Sequence, residues 1–186
     1  MQDAQIVELY WRREETAIAE TDRKYGPYCW AIARNILCSY EDSEECVSDT
    51  WLRAWNTMPP QKPSKLQMFL AKITRNLAFD RYKARNAEKR GGGELPLVLS
   101  ELEECIPAPG GVEEEFMAKE LAACVNRFVQ ALPERDAALF VRRYFFTESL
   151  ATVAARCGIT VNNASVILNR TRRKLKAHLE KEGYHP

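Results

Sequence analysis

Gly91-Gly92-Gly93, Pro96, Pro107, Pro109, Gly110 and Gly111 crowd the middle of a chain of 186 residues. No single helix or strand runs through so many residues lacking a Cβ or an amide hydrogen. The same stretch carries Glu94, Glu101, Glu103, Glu104 and Glu113 to Glu115, with no Lys or Arg before Lys119. Breakers and charge of one sign predict a flexible acidic linker over 91–116, joining a domain at 1–90 to one at 117–186. Leu97 to Ile106 has enough apolar content for short helical turns within it.

Both flanks have helical periodicity, and no segment reads as a strand, so the predicted class is all-α, two small helical domains. Phe69, Leu70, Ile73 and Leu77 form one stripe, and Val47, Trp51, Ala54 and Trp55 another, the latter on a helix from Glu44 with Asp42 or Ser43 as N-cap. Leu121, Val125, Phe128 and Leu132 form a third, after which Pro133 opens a new helix continued by Phe140, Val141, Tyr144 and Phe145. Hydrophobic residues make up 46% of the chain, enough to bury a core in each domain.

Several function classes drop out. No apolar run approaches the roughly 18 residues of a membrane span, and Met1 to Tyr10 is polar rather than signal-like. A cytoplasmic protein with no membrane insertion is expected. Cys29, Cys38, Cys46, Cys105, Cys124 and Cys157 are scattered without a CxxC pair, and His178 and His185 both sit near the end. That leaves no metal site, no cofactor motif and no catalytic triad, so no enzyme is expected.

The net charge is only +1, but its distribution is uneven. Lys62, Lys65, Lys72, Arg75, Arg81, Lys83, Arg85, Lys89 and Arg90 face only Asp80 and Glu88 within 62–90, and a second basic block runs from Arg170 to Lys176. Around the second block, Ala154, Gly158 and Ala164 have helix-turn-helix spacing: the alanines allow close approach and Gly158 takes the left-handed turn. Val153, Cys157, Ile159, Val161 and Ile167 would supply the apolar contacts, the second helix starting near Val161 or Asn162. Asn163, Ser165 and Asn169 then point outward, with Arg170, Arg172, Arg173 and Lys174 placed for phosphates.

In the first domain, Glu45, Asp49 and Arg53 recur every four residues on one helix face, which is either a solvated stripe or a docking surface for a basic partner. Lys72, Arg75, Asn76, Phe79, Tyr82 and Lys83 lie opposite the Leu70 stripe. Rings interleaved with cations suit single-stranded nucleic acid, bases stacking while cations follow the backbone. Phe79 and Tyr82 either serve that role or pack on a neighbouring helix. Asp80, at the stripe's edge, is expected to pair with an arginine or cap a neighbour.

Asp42 to Trp55 (DSEECVSDTWLRAW) and Phe69 to Arg81 (FLAKITRNLAFDR) resemble two ordered segments of the sigma-70 family of RNA polymerase sigma factors, and Leu132 to Lys174 resembles its promoter-reading domain. The short length and the linker position resemble the extracytoplasmic-function group. The resemblance implies an alternative sigma factor that binds core RNA polymerase and directs promoter-specific initiation, with promoter DNA and an anti-sigma factor as further partners. It implies that Glu45, Ser48, Asp49 and Arg53 dock on polymerase. Lys65, Lys72, Arg75, Asn76, Phe79, Tyr82 and Lys83 would meet the minus-10 element, with the loop from Asn56 to Gln67 holding a flipped base. Asn162, Asn163, Ser165, Asn169, Arg170, Arg172 and Arg173 would meet the minus-35 element. The chain departs from the family at Ser48, where glutamine is usual, and at Ser165 and Ile167, where Lys and Arg are usual. Base reading then passes to Asn162, Asn163, Ser165 and Asn169, or promoter choice rests on the first domain. A stand-alone helix-turn-helix regulator acting on duplex DNA explains 133–176 but gives the first domain no role.

Overall fold

The computed structural model describes residues 1–86, 94–103, 105–106 and 114–184, without the side chains of 86, 94 and 114–117. Lys89, Arg90, the triple glycine and Pro107 to Gly111 lie outside the described residues, which contain helices and no strand. The chain divides into two units, Met1–Gly93 and Glu94–Pro186.

The first unit holds α1 (Asp3–Trp11), α2 (Thr16–Leu37), α3 (Tyr40–Thr57) and α4 (Leu66–Asn86). Helices α2, α3 and α4 pack on one another, and α1 closes against α2. Ile6, Tyr10, Cys29, Val47, Trp51, Ala54, Met58, Leu66 and Leu70 share the core. Helix α2 runs through Gly26-Pro27, a pair that would by itself signal a break. Helix α3 begins earlier than the expected Glu44. Ser39 is the N-cap, accepting from the Asp42 amide, while Ser43 is fully buried and donates to the Ser39 carbonyl. Between α3 and α4, Thr50 and Thr74 are buried and satisfied: each hydroxyl bonds the carbonyl four residues back, and the two meet at 3.1 Å. With Ala54, Ala71 and Ala78 fully buried too, the two backbones come close.

The second unit holds α5 (Glu94–Glu103), α6 (Glu114–Gln130), α7 (Glu134–Phe140), a π-turn (Val141–Phe145), α8 (Leu150–Arg156) and α9 (Val161–Lys181). This unit begins at Glu94, within the expected linker. Leu95 and Val98 of α5, with Cys105 just after it, are buried, and Leu102 and Ile106 pack on the core formed by Phe128, Leu139, Tyr144, Ile167 and Leu175. The expected helical turns are there, but their apolar residues are built into the second domain's core, where burial stabilises a helix of ten residues that could not stand alone in water.

The helix-turn-helix is α8, the turn and α9. Ser149 and Thr160 cap the two helices, accepting from the amides of Thr152 and Asn163 at 3.1 and 3.2 Å. Gly158 has φ +65, the left-handed value its place predicts, and Ala154 and Ala164 are buried at the crossing. Val161 departs from expectation: it is exposed on the first turn of α9 rather than in the core.

Candidate nucleic-acid interface

On α9, Ala164, Ile167, Leu168, Thr171, Leu175 and Leu179 are buried and define the inner face. Ile167, where the family pattern puts a cation, belongs to this buried face. Asn162, Asn163, Ser165 and Asn169 are exposed, as the sequence reading has them, with Arg170 and Arg173. The reading missed Val166, which is 58% exposed between Ser165 and Asn169. An apolar residue in a periodic stretch is assigned to the core by default, and only its position opposite Ala164, Ile167 and Leu168 gives it away.

The three arginines differ. Arg173 is exposed. Arg170 is more than half exposed, but its guanidinium donates to buried Asp136 at 3.0 Å, which anchors it at the edge of the face. Arg172 is largely buried. It donates to Glu101 of α5 at 3.1 Å and to the Tyr144 hydroxyl at 2.7 Å. Glu101 also accepts from Arg143 at 2.7 Å and from Tyr144 at 2.7 Å, and Arg143, almost wholly buried, donates onward to the Glu148 carbonyl at 2.9 Å. Burial alone would raise the Glu101 carboxyl, but Arg143, Tyr144 and Arg172 outweigh it and hold the pKa below its ordinary value. Burial raises the Tyr144 phenol, and acceptance of its proton by Glu101 raises it further. The network holds α5, the π-turn and α9 together, so Arg172 is placed for the fold and not extended toward a phosphate.

Helix α4 carries the second face. Lys65, Lys72, Asn76 and Lys83 are exposed, and Arg75, Phe79 and Tyr82 are half-buried. The Arg75 guanidinium stacks over the Phe79 ring at 4.4 Å from its centroid. Burial lowers the Arg75 pKa from its ordinary value. Met68, 42% exposed one turn before Lys72, completes this face and was missed for the same reason as Val166. Asp80 is exposed, and the charge contacts of the α3–α4 packing are made instead by its neighbour Arg81.

Arg81 donates to Glu45 at 2.7 Å and to Asp49 at 2.5 Å, and Arg85 donates to Asp42 at 2.9 Å. Glu45, then Asp49, raises the Arg81 pKa, against the opposing effect of burial. The acidic stripe of α3 is thus half satisfied inside its own unit. Ser48 and Arg53 are exposed. Ser48 lies in a groove between α2 and α3 with Asp22, Trp30, Tyr40, Leu52 and Trp55. Leu52 and Tyr40 are each 59% exposed there, an apolar surface that spacing alone did not announce.

The remaining chemistry is quiet. Burial pushes the thiols of Cys29 and Cys46 up to about 11 and about 12, so both are protonated at neutral pH. Among the described residues no group of three or more His, Cys, Asp and Glu side chains is arranged for a metal ion, and no helix is long and apolar enough to cross a membrane.

The sigma-70 region 2 family model matches residues 22–88, and the sigma-70 region 4 family model matches residues 122–175. No curated protein matches the chain. Among solved structures, CnrH in complex with the cytosolic domain of CnrY is similar, at 19% identity and a TM-score of 0.44, covering 96% of this chain and 97% of that one. The region 2 match spans the packed helices α2 to α4 with the aromatic-basic face, and the region 4 match spans α6 through the helix-turn-helix. The two models of one family, each on its own unit and together taking in more than half of the residues, establish that the chain belongs to the sigma-70 family.

Proposed function

We propose that the chain is an alternative sigma factor of the extracytoplasmic-function group, acting in the cytoplasm as a subunit of RNA polymerase without catalytic activity of its own. The observation that carries this reading is the order of two family regions on two compact units, with an aromatic-basic face on the first and a helix-turn-helix on the second. The first unit docks on core polymerase through α3, where Ser48, Arg53 and the outer edges of Glu45 and Asp49 remain accessible. Lys65, Lys72, Arg75, Asn76, Phe79, Tyr82 and Lys83 hold the non-template strand of the minus-10 element. Ring stacking of roughly 1–3 kcal/mol per base offsets the unstacking of the duplex. Asn162, Asn163, Ser165 and Asn169 read minus-35 base edges, and Arg170 and Arg173 contact phosphate. An anti-sigma factor competing for these surfaces is a further proposal, resting on the family alone.

The test is transcription in vitro by core polymerase on a fragmented genomic library, with and without the protein. New discrete transcripts that vanish with Leu52→Glu, a change at an exposed position, support the reading. Transcripts unaffected by Leu52→Glu and Arg53→Glu would remove α3 from the docking surface. Sequence-specific duplex binding with no new transcript at all would favour a stand-alone regulator.

A further inference from the structure

Val166 is a large apolar side chain on the outer face of α9, more exposed than Val161 at the helix start and, unlike it, standing in the middle of the polar residues of that face. It stands opposite the buried stripe of Ala164, Ile167, Leu168 and Thr171, at 58% exposure. Asn162 lies one turn before it, and Ser165, Asn169, Arg170 and Arg173 surround it in one shallow depression. Valine gains nothing from this position in folding: it is β-branched, less helix-favouring than alanine, and leaves its methyls in water. Val166 also falls in the N-terminal third of α9, the part of a recognition helix that reaches base edges.

We infer that Val166 is a specificity residue that reads the C5-methyl of a thymine in the major groove. The inference rests on α9 being the base-reading helix. Asparagine serves the hydrogen-bonding edge of adenine, and the methyl of thymine is the apolar mark the groove offers at an ordinary base pair. Asn162 and Asn169 flank Val166 on the same face, so the thymine falls between the positions those two residues read. A cytosine or guanine in that place would bring polar atoms against the valine methyls, lose its groove water and find no partner.

The experiment uses the full chain with core polymerase and a duplex element selected by that holoenzyme from a random-sequence pool. Each thymine is replaced in turn by deoxyuridine, which removes only the methyl. The expected result is one thymine whose replacement weakens binding about 4-fold, the worth of one buried methyl group. Val166→Ser, which removes both methyls at an exposed site and keeps the fold, should bind the thymine and uridine duplexes equally. Replacing that thymine by 5-methylcytosine should restore part of the wild-type preference over cytosine, since the methyl returns. A recurrent element whose thymines all tolerate uridine, or equal uridine sensitivity in wild type and Val166→Ser, would overturn the assignment while leaving α9 as the reading helix. No recurrent duplex element in the selected pool would overturn the assignment and the reading of α9 together.

Discussion

Replacing Glu101 with glutamine removes one negative charge from the middle of three partners. Arg143 bears most of the loss, since its side chain is 3% exposed and Glu101 accepts from both its Nε and one terminal nitrogen. Stripping one member from a fully buried pair costs roughly 3–5 kcal/mol. Two features reduce that figure. Glu101 keeps 29% exposure, so water solvates part of the exposed arginine charge, and glutamine retains one oxygen that can accept. About 2 kcal/mol remains, or about 10 °C in Tm for a unit of this size. Native-state hydrogen exchange on the full chain isolates the effect: amides of α7 and α9 should exchange about 30-fold faster, with those of α2 to α4 as an unchanged control. The pH dependence fixes the cause. Glu101 has a folded pKa below its ordinary value of 4.5, so its stabilisation is complete above that value and is lost as the pH falls through the folded one. The gap between wild type and Glu101→Gln should therefore be full at neutral pH and close on acidification. Equal exchange in the two proteins at pH 7, or a gap that persists at the acid end, would refute the charge-network account.

Other consequences can be checked separately. Arg173→Ala should flatten the salt dependence of duplex binding by about one counterion, whereas Arg172→Ala should leave the slope alone and instead lower the second unit's Tm. Arg81→Ala should destabilise the first unit by only about 0.5–1 kcal/mol in urea unfolding, because Glu45 and Asp49 are well exposed to water. Phe79→Ala should slow opening of a promoter labelled with 2-aminopurine in the minus-10 element, without altering the Tm by more than a few degrees. Gly158→Ala should cost about 1 kcal/mol of thermal stability, all of it backbone strain at φ +65, since a Cβ there meets nothing within 4 Å.

The division of the fold into two helical units was legible because breakers and charge signs change together between 91 and 116. The helix-turn-helix was legible because its requirements are local: a caps-and-glycine turn between two small residues. Helices α1 and α2 were not, since Gly26-Pro27 signals a break that tertiary packing overrides. Nor was the α3–α4 contact fully legible. Thr50 and Thr74 look like surface residues in a string of letters, and only the pairing of the two backbones turns them into a satisfied seam. The membership of α5 in the second unit was hidden for a similar reason. Its glutamates suggested solvent, while Leu95 and Val98, three residues apart, were too short a stripe to predict burial.

For the binding surfaces the limit was different. Sequence shows which residues carry charge but not which of those charges the fold itself consumes. Glu45 and Asp49 are claimed by Arg81, Arg170 by Asp136, and Arg172 by Glu101, all through contacts more than thirty residues apart in sequence. A charge held this way still adds to the field that draws DNA or polymerase near, but it has fewer hydrogen bonds left to give. What the fold leaves unclaimed is narrower and less cationic than the sequence promised: Arg173 and the asparagines on α9, and on α3 the serine and leucine of the groove. On the proposed reading, discrimination on α9 rests on amide and methyl contacts, which depend on close fit, rather than on a bidentate arginine–guanine pair. If so, single base changes in its target should each cost toward the lower end of the roughly 1–3 kcal/mol range. A full substitution matrix on the selected duplex measures this, and any single position costing well above that range would show that an arginine does read a guanine after all.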